Sequence, residues 1–224
     1  MTSQELSTAQ IFASWALPVL FAITVHETTH GLIANFLGDK TAKILGRLTL
    51  NPLKHIDYLG TILIPGILLL LHTGFIIGWA KPVPISERNL KHPRRDMALI
   101  ALGGPLANFL MALMWAAIAK LGLILDAHGL SGISAIYYMG IAGIQINILL
   151  CVFNLLPVPP LDGGHLLMLF LPEKVILSLR VLTPYTFLIF ILLLYFGVLQ
   201  YILLPIIYYL IHLLAFVFGL GFDF

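Results

Sequence analysis

The sequence predicts an all-α polytopic membrane protein, from its composition and from the length and pattern of its uncharged runs. Hydrophobic residues make up 60% of the 224 residues and charged residues 10%, whereas soluble domains contain about 45–50% and about 25% of these two classes. Five uncharged runs reach the roughly 20 residues of a spanning helix: Leu6–His26, Tyr58–Ala80, Met97–Ala119, Ala127–Leu161 and Val181–Phe222. They lack the polar–apolar alternation of barrel strands, so we expect a bundle of about five to six transmembrane helices.

Charge and cysteine content narrow the class of protein further. The net charge is only +2 and the basic residues are spread along the chain, so no nucleic-acid partner is expected. The single cysteine, Cys151, allows no internal disulfide.

We expect one domain over residues 1–224, with a core at about 9–167 and C-terminal helices at about 173–222. The lipid bilayer is the expected surrounding, and the oligomeric state is left open.

Glycine and proline mark the ends of the expected elements. Gly38-Asp39 ends the first helix, Pro157-Val158-Pro159-Pro160 ends a later one, and the tail is broken near Gly197 and Pro205. The first helix has no basic residues before it, which is typical of a retained span rather than a cleaved signal peptide. The expected helices are residues 9–37, a helix that starts near Met97, has Gly103-Gly104-Pro105 near its start and runs to about 122, residues 131–156, an amphipathic piece at 173–183, and one or two spans in the tail.

Four acidic residues lie inside or at the edge of the apolar runs: Glu27, Asp126, Asp162 and Asp223. An ionisable group at membrane depth costs a few kcal/mol, so it marks a candidate functional site. Asp126 and Asp223 stand at segment ends where water can reach them. Glu27 and Asp162 have no such explanation.

Glu27 belongs to the motif His26-Glu27-Thr28-Thr29-His30. On a helix, residues i and i+4 share a face, so both imidazoles can bind one Zn²⁺. Glu27 is offset by one residue, beside the metal, where a general base can take a proton from water. The alternative, two buried histidines and a glutamate satisfied by packing contacts, requires three separate coincidences.

A catalytic zinc site needs a third protein ligand and an open position for water. Asp162 is the leading candidate, because the prolines before it stop the helix and Gly163-Gly164 lets the backbone bend around a metal. Irregular backbone at this depth is tolerated only when it is buried in protein or lines a wet cavity. The alternative is a simple helix-ending turn in which Asp162 is a cap.

Three motifs, in this order, resemble the site-2 protease family of intramembrane zinc metalloproteases. They are His26–His30, Gly104-Pro105-Leu106-Ala107-Asn108, and the segment from Asn154 to Gly163. The wider stretch Gly38–Asn108 is similar to compact prokaryotic members without a PDZ domain, notably at Gly46–Pro52 and Trp79–Pro84.

This resemblance implies particular roles for several residues. It implies His26, His30 and Asp162 as the ligands of one Zn²⁺ per chain, and Glu27 as the catalytic base. It also implies that Asn154 and Pro160 contact the substrate, a transmembrane protein cleaved within or near its membrane segment in regulated intramembrane proteolysis.

Asn108 and Asn154 are uncharged polar residues within apolar runs. An asparagine amide at either position could hold a substrate strand or stabilise a developing oxyanion, so we include Asn108 among the candidate substrate-binding residues. Hydrogen bonding between packed helices is the alternative for both. His55 and His165 lie near the motifs, but neither belongs to a histidine pair with the spacing of metal ligands.

The shared metal also constrains the topology. The histidine pair and Asp162 must lie at similar depth, and each is expected toward the C-terminal end of its helix, so both helices run toward one face. Residues 38–96 must then leave from and return to that face. Tyr58–Ala80 therefore cannot be a complete span, and Pro65-Gly66 and Thr73-Gly74 offer the breaks of a membrane-embedded or re-entrant loop.

Charge supports this topology independently. With a re-entrant loop, all twelve Lys and Arg residues except Lys120 fall on the active-site face. The positive-inside rule then makes that face cytoplasmic, in a multi-pass protein of a prokaryotic inner membrane. The rival functions are a transporter, which would usually show repeat symmetry, a non-catalytic metal-binding membrane protein, and an inactive protease relative.

Overall fold

The computed structural model describes residues 8–71, 78–128, 134–182 and 185–221, and these residues form α-helices without β-strands. The all-α prediction is therefore confirmed for the described chain. Short 3₁₀ turns lie at Pro52–Lys54 and Glu87–Asn89, and a π-helical segment at Tyr58–Leu63. The α-helices are α1 Thr8–Phe36, α2 Thr41–Ile44, α3 Ile64–Leu70, α4 Pro93–Ala127, α5 Ser134–Asn154, α6 Asp162–Met168, α7 Glu173–Leu182, α8 Thr186–Tyr195 and α9 Val198–Phe218.

Three helices in the described ranges are long and apolar enough to cross a membrane: α4, α5 from Ala135, and α9. Helix α1 has 29 residues, and a rise of 1.5 Å per residue makes it about 44 Å long, which also suffices by length. Helices α7 and α8 have 10 residues each, about 15 Å, and are too short to span. The predicted total of five to six spans stays a prediction.

Helices α1, α4 and α5 pack against one another, and α9 covers the outer side of α5 and α4. The main core lies between α4, α5 and α9, where Trp115, Ile144 and Ile148 are buried among apolar side chains. A second, smaller cluster of Ala34, Leu90 and Ile100 joins α1 to the start of α4. Helix α1, which carries His26 and His30, is therefore held by packing against both α4 and α5.

Helices α4 and α9 both continue through a proline. Helix α4 begins at Pro93, four residues before the expected start near Met97, and carries Pro105 in its interior. Helix α9 likewise continues through Pro205, where a break was expected. A proline in a membrane helix is tolerated where neighbouring groups satisfy the freed backbone carbonyl. The predicted break at Gly197 is confirmed, since this residue has φ +72° between α8 and α9, and α7 matches the predicted piece at 173–183.

The uncharged run Tyr58–Ala80 is not one continuous helix. Helical structure covers residues 58–70, after which Trp79 N donates to Gly60 O at 3.1 Å and Thr61 Oγ1 donates to Trp79 O at 2.8 Å. The two ends of the run therefore lie side by side, a geometry that a single spanning helix does not have. The position of this segment relative to a bilayer stays a prediction.

The predicted break at Pro65-Gly66 was wrong, because both residues lie in the first turn of α3. Proline is tolerated there since its missing N–H would have no partner within the α-helix, and the change of geometry is instead the π-to-α transition after Leu63. The other predicted break, Thr73-Gly74, lies outside the described residues.

Asp39 fastens the segment between α1 and α4 at both of its ends. Its side chain is fully buried and accepts hydrogen bonds from the amide and hydroxyl of Thr41, from Asn89 Nδ2 at 2.8 Å, and from the Ser86 amide at 2.7 Å. Burial alone raises the pKa of Asp39, but the hydrogen bonds from Asn89, Thr41 and Ser86 outweigh it and hold that pKa below its usual value.

We expect Asp39→Ala to destabilise the fold by on the order of 3 kcal/mol, because one buried charged acceptor serves several donors. The thermal midpoint in detergent should fall by several degrees, whereas Asp126→Ala, at an exposed position near the end of α4, should leave it unchanged. A folded pKa below the unfolded 3.8 means that the stabilisation is present above that pH and lost as pH falls through the folded value. Equal midpoints for wild type and Asp39→Ala at neutral pH would contradict this role.

Candidate metal centre

His26 and His30 lie one helical turn apart on the buried side of α1. Both side chains are about nine-tenths buried, and their Nε2 atoms are 3.0 Å apart. The two rings meet edge to face, with centroids 4.6 Å apart. The i, i+4 spacing thus brings two imidazole nitrogens to one point, as the sequence predicted.

Asp162 completes a group of three. Its Oδ2 lies 3.3 Å from His26 Nε2 and its Oδ1 lies 3.4 Å from His30 Nε2. The sequence placed Asp162 toward the end of a long helix, but it is the first residue of the short helix α6, after α5 has ended at Asn154. The turn between the two helices is tight: a Cβ on Gly163 would lie 2.3 Å from Leu155 O, so only glycine fits after Asp162.

The other ring nitrogens of the two histidines are held by acceptors. His26 Nδ1 lies 2.6 Å from Asn108 Oδ1, and His30 Nδ1 lies 2.8 Å from the Ile100 carbonyl. Because both partners are acceptors, each Nδ1 carries the proton and each Nε2 keeps its lone pair. Such outer contacts fix the tautomer and ring orientation of metal-ligating histidines.

The donor set and its spacing fit Zn²⁺. Four-coordinate zinc with bonds of 2.0–2.2 Å to nitrogen and oxygen places its ligand atoms about 3.3–3.6 Å apart, and the observed separations of 3.0–3.4 Å are within a few tenths of an ångström of this. Asp162 Oδ2 is buried without a hydrogen bond, an expensive condition for a carboxylate that has no cation. Within the described ranges, His26, His30 and Asp162 are the one group of this kind, and three protein ligands leave a fourth position for water.

Glu27 lies beside this group rather than in it. The side chain is half-buried, and its Oε2 accepts a hydrogen bond from the Val83 amide at 2.9 Å. Val83 belongs to the non-helical stretch that returns from Trp79 toward α4. The acid is therefore held next to the ligands by a backbone donor from another part of the chain.

The structure places Asn108 behind His26 rather than on an open surface. Asn108 is fully buried, and its Nδ2 donates to the Ala22 carbonyl at 3.2 Å and to Asn147 Oδ1 at 3.0 Å. Asn147 Nδ2 in turn donates to the Gly143 carbonyl at 2.8 Å. Both polar atoms of the Asn108 amide therefore have partners inside the protein, and Oδ1 contacts His26. This geometry does not support the predicted substrate contact of Asn108.

The sequence analysis missed Asn147 and noted His55 without assigning it a contact. Asn147 is fully buried, and the signal that could have found it is the same as for Asn154, a polar residue inside an apolar run. His55 is 2% exposed, and its Nε2 bonds the Thr49 carbonyl at 2.9 Å, which also accepts from Thr28 Oγ1 at 2.8 Å. Thr28 thus ties the loop after α2 to α1 next to Glu27, and His55 contacts the same carbonyl from within that loop.

Asn154 and Pro160 flank the turn that leads to Asp162. Asn154 is half-buried at the end of α5, where its Nδ2 donates to the Leu150 carbonyl at 3.0 Å. Pro160 is exposed two residues before Asp162. Their contact with a substrate stays a prediction.

Gly104 of α4 leaves the space that the two imidazoles occupy. A Cβ at this position would lie 2.5 Å from both His26 Cε1 and His30 Nε2. We therefore expect Gly104→Ala to displace the rings and to lower the zinc content of the purified protein at least tenfold. Gly66→Ala is the matched control, since a Cβ there meets nothing within 4 Å. Full zinc occupancy in Gly104→Ala, measured by metal analysis, would show that the rings are not bound where the structure places them.

Comparison of the sequence with known proteins identifies a peptidase family. The profile of peptidase family M50 matches residues 123–196. YwhC of Bacillus subtilis, which is named as a zinc metalloprotease, is 36% identical over 194 residues, covering 84% of this chain and 83% of YwhC.

More distant relatives carry the same kind of name. Rip2 of Mycolicibacterium smegmatis is 28% identical over 154 residues, covering 68% of this chain and 54% of Rip2. MJ0611 of Methanocaldococcus jannaschii is 38% identical over 68 residues, covering 30% of this chain and 31% of MJ0611. Both are named as zinc metalloproteases, and no solved structure matches the chain. The extent of the match to YwhC confirms the resemblance found in the motifs, and the chain belongs to peptidase family M50, the site-2 protease family.

Proposed function

We propose that this chain is an intramembrane zinc metalloprotease that hydrolyses peptide bonds within or near the transmembrane segments of membrane-protein substrates. The observation that carries the proposal is the meeting of two histidines and one aspartate from α1 and α6 with a glutamate beside them. The whole of residues 1–224 would act as one protease domain.

His26, His30 and Asp162 would hold the zinc ion through Nε2, Nε2 and a carboxylate oxygen. The family and the names of its relatives support zinc as the cofactor. When bound, zinc supplies a Lewis acid that polarises the scissile carbonyl and lowers the pKa of water. Asn108 and the Ile100 carbonyl keep the two rings in the tautomer that this binding requires.

Glu27 would be the general base. It accepts the proton of the attacking water and then delivers it to the leaving amine, so the residue ends the cycle as a carboxylate. Its place beside the ligands, one residue after His26, allows this transfer without occupying a coordination position. The hydrogen bond from Val83 engages Oε2, which leaves Oε1 for the proton.

A transmembrane substrate hides its amides in its own helix, so it must unwind locally before attack. Segments rich in glycine and proline would unwind at the lowest cost. We propose that the unwound segment lies extended against protein backbone near the turn before Asp162, where Asn154 and Pro160 would contact it. Support for this placement is that both residues flank the turn leading to the ligand and that Pro160 is exposed.

We further propose that the active-site face is cytoplasmic in a prokaryotic inner membrane. The close approach of Gly60 and Trp79 supports a segment that leaves and re-enters at one face, and the distribution of Lys and Arg then favours the cytoplasm.

We expect Glu27→Gln to abolish cleavage of a transmembrane test substrate while zinc stays bound, because the amide cannot accept the proton and the three ligands are unchanged. His26→Ala is the matched comparison, and it should lose both zinc and cleavage. The measurements are substrate cleavage in proteoliposomes and metal analysis of the same samples. Cleavage by Glu27→Gln at the wild-type rate would refute the role of Glu27.

The topology is tested by impermeant thiol labelling of single cysteines at Lys43 and Lys91, which are both exposed, in a background with Cys151 replaced. The two positions lie on opposite sides of the Tyr58–Ala80 run in the sequence. Both should label from the cytoplasmic side alone. Labelling from opposite sides would mean that the run crosses the membrane and would contradict the re-entrant arrangement.

A further inference from the structure

The non-helical stretch 78–86 donates its backbone amides to four different parts of the protein. Trp79 N donates to Gly60 O at 3.1 Å, and Lys81 N donates to His55 O at 2.9 Å. Ser86 N donates to Asp39 Oδ2 at 2.7 Å. Val83 N, between them, donates to Glu27 Oε2 at 2.9 Å, and so this amide alone among the four reaches a side chain placed in the chemistry.

The sequence around Val83 restricts both the donor and its direction. Pro82 and Pro84 have no N–H, so Val83 carries the one amide hydrogen between Lys81 and Ile85. Proline also disfavours helical geometry in the residue before it, which keeps Lys81 and Val83 extended. A segment built this way has little freedom to turn the Val83 amide away from Glu27.

Further contacts hold the same segment in register with α1. Arg47 donates to the carbonyls of Lys81 at 2.9 Å and Pro82 at 3.3 Å. The Val83 side chain is buried, and its Cγ1 lies 3.0 Å from the place where a Cβ on Gly31 would be. Gly31 follows Glu27 by four residues on α1, so both lie on one face of the helix. Val83 therefore contacts that face of α1 at two points. Its side chain lies against Gly31, and its amide donates to Glu27.

We propose that Val83 is a positioning residue for proteolysis, whose backbone N–H fixes the Glu27 carboxylate in the orientation that proton transfer requires, with Pro82 and Pro84 as the rigid supports of that amide. The inference rests on the proposed role of Glu27. A glutamate has several rotatable bonds, and restricting them places the base within reach of the water before each turnover. No other residue of the stretch can supply this donor, because its neighbours are prolines.

Hydrogen exchange tests the contact without any catalysis. A peptide from Pro82 to Ile85 carries amide hydrogens only at Val83 and Ile85, so the Val83 amide can be followed by mass spectrometry. Glu27→Ala should speed exchange in this peptide at least tenfold over wild type, and Asp126→Ala, a distant exposed acid, should not. Equal exchange in Glu27→Ala and wild type would overturn the proposal.

Val83→Pro tests the consequence, because it deletes the N–H and keeps an extended backbone, while Val83→Ala keeps the N–H. We expect kcat of Val83→Pro to lie about 10–100-fold below that of Val83→Ala, with similar KM and equal zinc content. Equal kcat in the two variants, or a difference confined to KM, would overturn the proposal. If Val83→Pro loses zinc, its kcat no longer reports on Glu27, and the hydrogen-exchange result alone supports or overturns the proposal. Absence of cleavage by the wild-type protein would instead count against the proposed function.

Discussion

Two imidazoles one turn apart on α1 must present their Nε2 atoms to a carboxylate inside an apolar bundle, and the surrounding structure depends on that requirement. An unpaired polar group in such a place costs several kcal/mol, so each ring needs a partner for its second nitrogen. Asn108 and the Ile100 carbonyl, both from α4, are those partners. Helix α4 can come close enough to provide them because Gly104 has no side chain in the space of the rings. The packing of α1 on α4 therefore determines the geometry of the metal centre.

The segment between α1 and α4 has a different task, which is to close the site on the side of Glu27. It is held by Asp39 at its two ends, by Thr28 at the Thr49 carbonyl and by Val83 at the Glu27 carboxylate. Three of these four hydrogen bonds use a backbone amide or carbonyl, whose position is less mobile than that of a long side chain. If Glu27 is the base that we propose, this backbone contact would keep it in place while the substrate exchanges.

The structural features that could be predicted from the sequence are those governed by local periodicity. The spacing of His26 and His30 places both side chains on one face of any helix. The glycines after Asp162 predict a tight turn independently of the surrounding structure. Asn147 could not be assigned a role in this way, because its partner Asn108 is 39 residues away and only the packing of α5 on α4 brings them together. The break expected at Pro205 was wrong for the same reason, since neighbouring elements decide whether a proline ends a helix. His55 lacked a partner at ligand spacing, and its contacts come from the fold of the loop after α2.

We propose that two imidazoles and one carboxylate of this chain bind zinc and leave one coordination position open. X-ray absorption at the zinc edge, measured on the purified protein in detergent, tests it most directly. We expect two imidazole nitrogens and oxygen around the zinc at about 2.0–2.2 Å, without sulfur. A shell containing sulfur from Cys151, a shell with one imidazole, or a protein that retains no zinc after loading would contradict it.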